Sequence, residues 1–176
     1  MMNEKEFVHH LVNVLESLRI PYFITGDMAA IAYGEPRYTN DVDIVVDLNA
    51  AMIPAFAAFF PSPDYYLSES AMRDAVAKRF QFNILHPASG LNADIIIPST
   101  SEYDRLRQTR LTKLEIDSDL TANFASKEDV IRKKLEYFQL CGSEKHLRHR
   151  QHDADLGRES RPRLHLGLGR KIKRGG

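Results

Sequence analysis

Asp41 and Asp43 stand two residues apart in Asp-Val-Asp-Ile-Val-Val-Asp, residues 41–47, the clearest strand in the sequence. Side chains alternate faces along a strand. Both carboxylates therefore project from one face, with Cβ atoms ~7 Å apart, while Val42, Ile44 and Val46 point the other way. Two carboxylates so placed repel each other unless a cation lies between them. Mg²⁺ (or Mn²⁺) is the natural partner in phosphate chemistry, because Mg²⁺ takes few carboxylates and completes its shell with phosphate oxygens. A third carboxylate, Asp94, lies mid-strand among Ala93, Ile95, Ile96 and Ile97, where an Asp is costly without a partner. If its strand lies beside Asp41–Asp43, the three carboxylates can hold two metal ions for an in-line displacement at phosphorus. Upstream, Thr25-Gly26-Asp27 marks a strand-to-helix junction, whose N–H groups and helix dipole favour an anion such as phosphate. Taken alone, an Asp-x-Asp pair is more often a solvated strand edge than a catalytic pair.

The elements that must position these residues follow from pattern. Asn3 with Glu6 reads as a capping box that opens a helix with Phe7, Leu11, Leu15 and Leu18 on its inner side, ended by Pro21. Residues 22–25 read as a short buried strand running into Gly26, residues 27–33 as a helix ended by Gly34 and Pro36, and residues 50–60 as a second buried helix in which Pro54 must sit in the first turn or make a kink. Glu69 to Ala77 reads as a helix. Residues 80–85 and 91–97, joined by His86-Pro-Ala-Ser-Gly90, read as a hairpin. Residues 101–111 are a predicted helix, followed by a short strand around 112–116. Ser126 caps a last helix through about Leu140, with Val130, Ile131, Leu135 and Phe138 as its inner side. The expected class is α+β: a small mixed sheet with helices packed on it.

Composition bounds the rest. Of 176 residues, 24 are Lys or Arg and 24 are Asp or Glu, a formal net charge of zero. That zero divides unevenly: residues 1–142 carry 14 basic and 20 acidic side chains, residues 143–176 carry 10 and 4. The shift marks an expected boundary between a domain at 1–142, including the 126–140 helix, and a basic His/Arg/Gly-rich tail at 143–176. Three origins of the tail stay open: an RNA-binding arm, a disordered solvated terminus, or a peptide from a shifted reading frame near residue 149. The abrupt change of pattern favours the last. A hydrophobic fraction of 43% excludes wholesale disorder, and the single Cys141 excludes an intrachain disulfide. With a polar start and no run approaching the ~20 apolar residues of a membrane span, the expectation is a cytoplasmic protein without membrane contact.

Gly26-Asp27, then Asp41-Val42-Asp43, then a later strand Asp resemble the nucleotidyltransferase fold of the DNA polymerase beta-like superfamily. More narrowly, residues 24–46 (Ile-Thr-Gly-Asp-Met-Ala-Ala-Ile-Ala-Tyr-Gly-Glu-Pro-Arg-Tyr-Thr-Asn-Asp-Val-Asp-Ile-Val-Val) look like AbiEii-type toxin nucleotidyltransferases and their uncharacterised bacterial relatives. Residues 125–135 and 143–148 are similar to later segments of that branch, so the resemblance spans about 5–148.

The resemblance implies transfer of a nucleoside monophosphate from an NTP to a hydroxyl of RNA, tRNA, protein or a small molecule, with release of pyrophosphate. It also implies a toxin–antitoxin or abortive-infection setting with an antitoxin partner. Asp41 and Asp43 would hold Mg²⁺, and Asp94 would bind metal near the acceptor or take the hydroxyl proton. Gly26 and its neighbours would contact the triphosphate, and Lys134 would face the phosphates. Arg37 and Thr39 match positions flanking the signature, and Arg37 suits a phosphate or a structural carboxylate equally well. Read on its own, on a helix beside Arg132 and Lys133, a lysine such as Lys134 is most often a solvated surface residue. Asp27 stands where the family has Gly or Ser. A carboxylate accepts but cannot donate to phosphate, so helix N-cap and metal ligand are both open for it. Asp27 and the altered end support an alternative function: a catalytically inactive binding or regulatory module on the same fold.

Overall fold

The computed structural model describes residues 2–35 and 39–141. Arg37 and the tail at 143–176 lie outside the described residues. Among the described residues six helices and six strands follow one another in this order: α1 Glu4–Ser17, β1 Tyr22–Thr25, α2 Gly26–Ala32, β2 Asp41–Val46, α3 Ile53–Ala57, α4 Glu69–Lys78, β3 Gln81–His86, β4 Leu91–Ile96, α5 Glu102–Thr109, β5 Thr112–Asp117, β6 Leu120–Phe124 and α6 Lys127–Cys141. The strands form one sheet in the order β3-β4-β2-β1-β6-β5. β2 pairs with β4 and β1 with β6 in parallel, and the remaining neighbours are antiparallel. The sheet is mixed and the class α+β, as the patterning predicts.

Local chemistry explains most boundaries. Asn3 and Glu6 form the reciprocal capping box that starts α1, and Ser68 and Ser101 accept from Ala71 and Asp104 N–H groups to start α4 and α5. The Ser126 hydroxyl accepts from the Asp129 N–H and so starts α6. The helix expected over 50–60 is shorter, Ile53–Ala57, because Pro54 is compatible only with the first turn and the chain tightens at once beyond it. β6, absent from the sequence reading, pairs with β5 as a hairpin and sets Phe124 beside Ile24.

One face of the sheet is apolar: Ile24, Val42, Ile44, Val46, Ala93 and Ile95 all lie in the core, packed with Phe7, Leu11 and Leu15 of α1 and with Phe56. This burial is the main driving force for the sheet to form at all. The other face carries the polar side chains of β2, β4 and β3. The inner side of α6 differs from expectation. Val130 is buried, but Ile131 and Leu135 are exposed. The helix is rotated so that Lys134, four residues after Val130, faces inward, and two buried-side carboxylates account for that rotation, as described next. Among the described residues, no helix is long and apolar enough to cross a membrane.

Candidate active site

Register brings the predicted carboxylates together. In the parallel β2–β4 pair Asp43 is the Cα partner of Asp94, and Asp41 that of Asn92. Asp43 is also the partner of Thr25 in the antiparallel β1–β2 pair. Alternation then places Asp41, Asp43, Asp94 and Thr25 on one face, at the end of the sheet where β1 runs into α2. Asp94 lies more than 50 residues beyond Asp41 and Asp43 in sequence, and only the parallel β2–β4 pairing brings it beside them.

Gly26 is the floor of this arrangement. Its φ is +63°, a region L residues rarely adopt. A Cβ there would collide with the Asp43 carboxylate, whose Cγ would lie 2.7 Å away. The strand-to-helix junction thus accepts an anion, but the anion in the structure is the protein's own. The Asp27 N–H, in the first turn of α2, donates to Asp43. This is the one favourable influence on that carboxylate. Burial, and then the negative charges of Asp94, Asp27 and Asp41, push Asp43 up to about 6.

Asp94 is held by neutral donors. Asn83 Nδ2 donates to Asp94 Oδ1, and Asn92 Nδ2 donates to the same oxygen at 2.8 Å and to Asp41 Oδ1 at 3.5 Å. Neither Asn was singled out in the sequence. The alternation of β3 and β4 put both on the polar face, and that was the only available signal.

The nitrogen of Lys134 lies 2.7 Å from Glu35 Oε2 and 3.7 Å from Asp27 Oδ1, with the side chain 15% exposed and that of Glu35 8%. A solvated surface lysine is therefore excluded; Lys134 joins α6 to α2 at the Asp27 side of the site. The N-cap of α2 is Thr25, not Asp27. The Thr25 hydroxyl accepts from Arg107 Nη2 at 3.3 Å, and the Arg107 guanidinium lies 4.9 Å from the Phe23 ring centroid. Arg107, almost wholly buried, so ties α5 to Thr25, the last residue of β1. Thr39 is buried and bonds the backbone of Asp41 in both directions, accepting from its N–H at 3.1 Å and donating to its carbonyl at 3.2 Å. In this position Thr39 sets the start of β2.

The donor set is one of hard oxygens, suited to Mg²⁺ or Mn²⁺. Among the described residues, no group of three or more His, Cys, Asp or Glu side chains could hold a metal ion by itself. What the geometry fits is a cation taken by one or two carboxylates, with phosphate oxygens and water completing its shell.

No known family profile matches the chain, and no curated protein matches it in sequence. Solved structures similar to the chain include the following three. A "putative nucleotidyltransferase" from Helicobacter pylori is 14% identical with a TM-score of 0.43, over 76% of this chain and 59% of that one. JHP933, also from Helicobacter pylori, is 15% identical with a TM-score of 0.43, over 77% and 58%. A "putative nucleotidyltransferase" from Thermotoga maritima is 15% identical with a TM-score of 0.48, over 86% and 96%. The chain thus spans less than two thirds of the length of the two Helicobacter proteins. The functional reading rests on the site itself.

Proposed function

We propose that this protein is a nucleotidyltransferase that moves a nucleoside monophosphate from an NTP to a hydroxyl acceptor. The observation that carries the reading is the in-register pairing of Asp43 with Asp94, beside Asp41 and over the Gly26 turn. Four carboxylates gathered at one sheet end, with Asp43 raised first by burial and then by the charges of the other three, are an unfavourable arrangement for stability alone and a favourable one for binding a cation with a triphosphate. Asp41 and Asp43 would hold Mg²⁺, which when bound supplies charge neutralisation of the phosphates.

The chain's own residues do the remaining work. The Gly26 turn, lacking a Cβ, leaves room for the Asp43 carboxylate at the junction, and Asp94, on the side of the site away from α2, accepts the proton of the acceptor hydroxyl. That oxygen forms a bond to the α-phosphorus while the bond to the pyrophosphate oxygen breaks, so atoms and charge balance. Lys134, 3.7 Å from Asp27, would face the phosphates from the α2 side. The finer reading is an AbiEii-type toxin with RNA, tRNA or protein as acceptor, an antitoxin partner and a cytoplasmic setting. Its support is the run of motifs from Gly26 to Asp43 and the segment from Ala125 to Leu135. The domain division at residue 142 belongs to the same proposal.

A second reading has an observation of its own. Lys134 is engaged by Glu35 and Asp27, and the Asp27 N–H by Asp43, so the groups expected on the triphosphate already have anionic partners. That favours a binding module without turnover. Incubation with each α-labelled NTP, Mg²⁺ and total tRNA or total protein separates the two. Label transfer that Asp43→Asn abolishes supports the enzyme. Nucleotide binding without transfer to any acceptor overturns it.

A further inference from the structure

We propose that Asn83 and Asn92 are positioning residues for transfer, acting through Asp94; the proposal rests on the nucleotidyltransferase reading above. Asn83 is the Cα partner of Asp94 across β3–β4, and Asn92 precedes Asp94 by two residues on β4, so all three side chains share the polar face. Both amides donate to one oxygen, Asp94 Oδ1. Asn83 Nδ2 also lies 3.4 Å from Asn92 Oδ1, which orients the second amide, and Asn92 reaches Asp41 Oδ1 at 3.5 Å. The result is a chain of contacts from edge strand to site: Asn83, Asn92 and Asp94, with Asp41 at its end.

The chemistry explains why these positions are amides. A carboxylate on a half-buried strand turns freely about two side-chain bonds, and two donors on one oxygen remove that freedom while leaving Oδ2 with neither amide. A Lys in either place would also hold Asp94, but its charge would sit among the carboxylates and compete with any cation drawn to them. An Asp there could only accept, and would repel. A neutral donor positions without neutralising. Asn92 in addition spaces Asp94 from Asp41, setting the distance between the acceptor-side carboxylate and one on the triphosphate side. This placement acts on the acceptor's oxygen and leaves NTP binding to β1, α2 and β2.

The test compares wild type with Asn83→Ala, Asn92→Ala and Asn83→Gln in Mg²⁺-dependent transfer of α-labelled NTP to total tRNA or total protein, whichever the wild type labels. Each Ala variant is expected to lower kcat about tenfold, the loss of one hydrogen bond to a charged group. KM for the NTP is expected to stay within about twofold, and Asn83→Gln, which returns the amide, to recover part of kcat. In the metal-free protein, the side-chain amide NMR signals of both Asn residues should move on Asp94→Ala. Unchanged kcat in the Ala variants, or amide signals that ignore Asp94→Ala, overturns the proposal while the transferase reading stands. A proportional loss of NTP affinity, or no recovery in Asn83→Gln, assigns the Asn residues a merely structural role and also overturns it. Absence of transfer by wild type with every NTP and acceptor overturns the transferase reading, and this proposal with it.

Discussion

The carboxylate of Asp43 occupies the space in which a side chain at residue 26 would begin. A Cβ on Gly26 would lie 2.9 Å from Asp43 Cβ and closer still to the carboxylate. The left-handed backbone of Gly26 and the seat of Asp43 are therefore one feature, and any side chain at residue 26 would have to displace Asp43. Gly26→Ala is expected to destabilise by more than the ~1 kcal/mol that a left-handed conformation costs an L residue. Its cost should shrink in an Asp43→Gly background, which removes the colliding atoms. A double-mutant cycle by urea denaturation measures the coupling; additive effects would contradict the collision.

Asp43 gives stability a definite pH dependence. Its carboxyl rises from an ordinary 3.8 to about 6 on folding, so the folded protein binds the proton more tightly than the unfolded chain. The contribution is fully present below the unfolded value and is lost as pH rises through the folded one. Asp43→Asn removes the ionised form and is expected to stabilise the metal-free protein at pH 8 by at most about 3 kcal/mol, with little effect below pH 4. Denaturant titrations at pH 4, 6 and 8 would show this, and a gain independent of pH would contradict it.

If the same carboxylates take a divalent cation, Mg²⁺ should relieve their repulsion. Added Mg²⁺ is expected to raise the melting temperature of wild type at pH 8 and much less at pH 5, where Asp43 is largely protonated. Asp41→Asn with Asp43→Asn should abolish the rise. A shift that survives both substitutions would place the cation elsewhere.

Lys134 and Glu35 form the tightest ion pair among the described residues, at 2.7 Å with both side chains largely withdrawn from water. Lys134→Met leaves two carboxylates facing a shortened set of partners and should cost roughly 3 kcal/mol, since removing one member of a buried pair leaves the other charge desolvated. Glu35→Gln with Lys134→Met should cost less than the sum of the singles. Melting curves of the four proteins measure the coupling, and a sum of singles would show that the pair does not hold α6 to α2.

For activity, Asp94→Asn is expected to keep NTP binding within a few-fold and to lower the rate of transfer by at least a hundredfold, on the scale of general base loss. Equal effects of Asp94→Asn on binding and rate would instead place Asp94 on the triphosphate.

Much of this was legible along the chain. The alternation of Asp41 to Val46 determined which side chains face the core, because a strand's period leaves no choice once Val42, Ile44 and Val46 are buried. The capping residues Asn3 and Ser126 announced α1 and α6, because N-terminal N–H groups need a nearby side-chain acceptor. The Gly26 junction and its candidacy for an anion were likewise local facts. What tertiary structure alone decided was who meets whom. Strand order set Asp94 against Asp43 and made the anion at the junction Asp43 itself. The inward pull of Glu35 and Asp27 turned Lys134, and with it α6, away from the face its apolar residues predicted. Asn83 and Asn92 became partners of Asp94 only through cross-strand register. Local periodicity and capping depend on neighbours in sequence; charge and hydrogen bonding depend on neighbours in space, and in a mixed sheet with a β2–β4 crossover those are different sets.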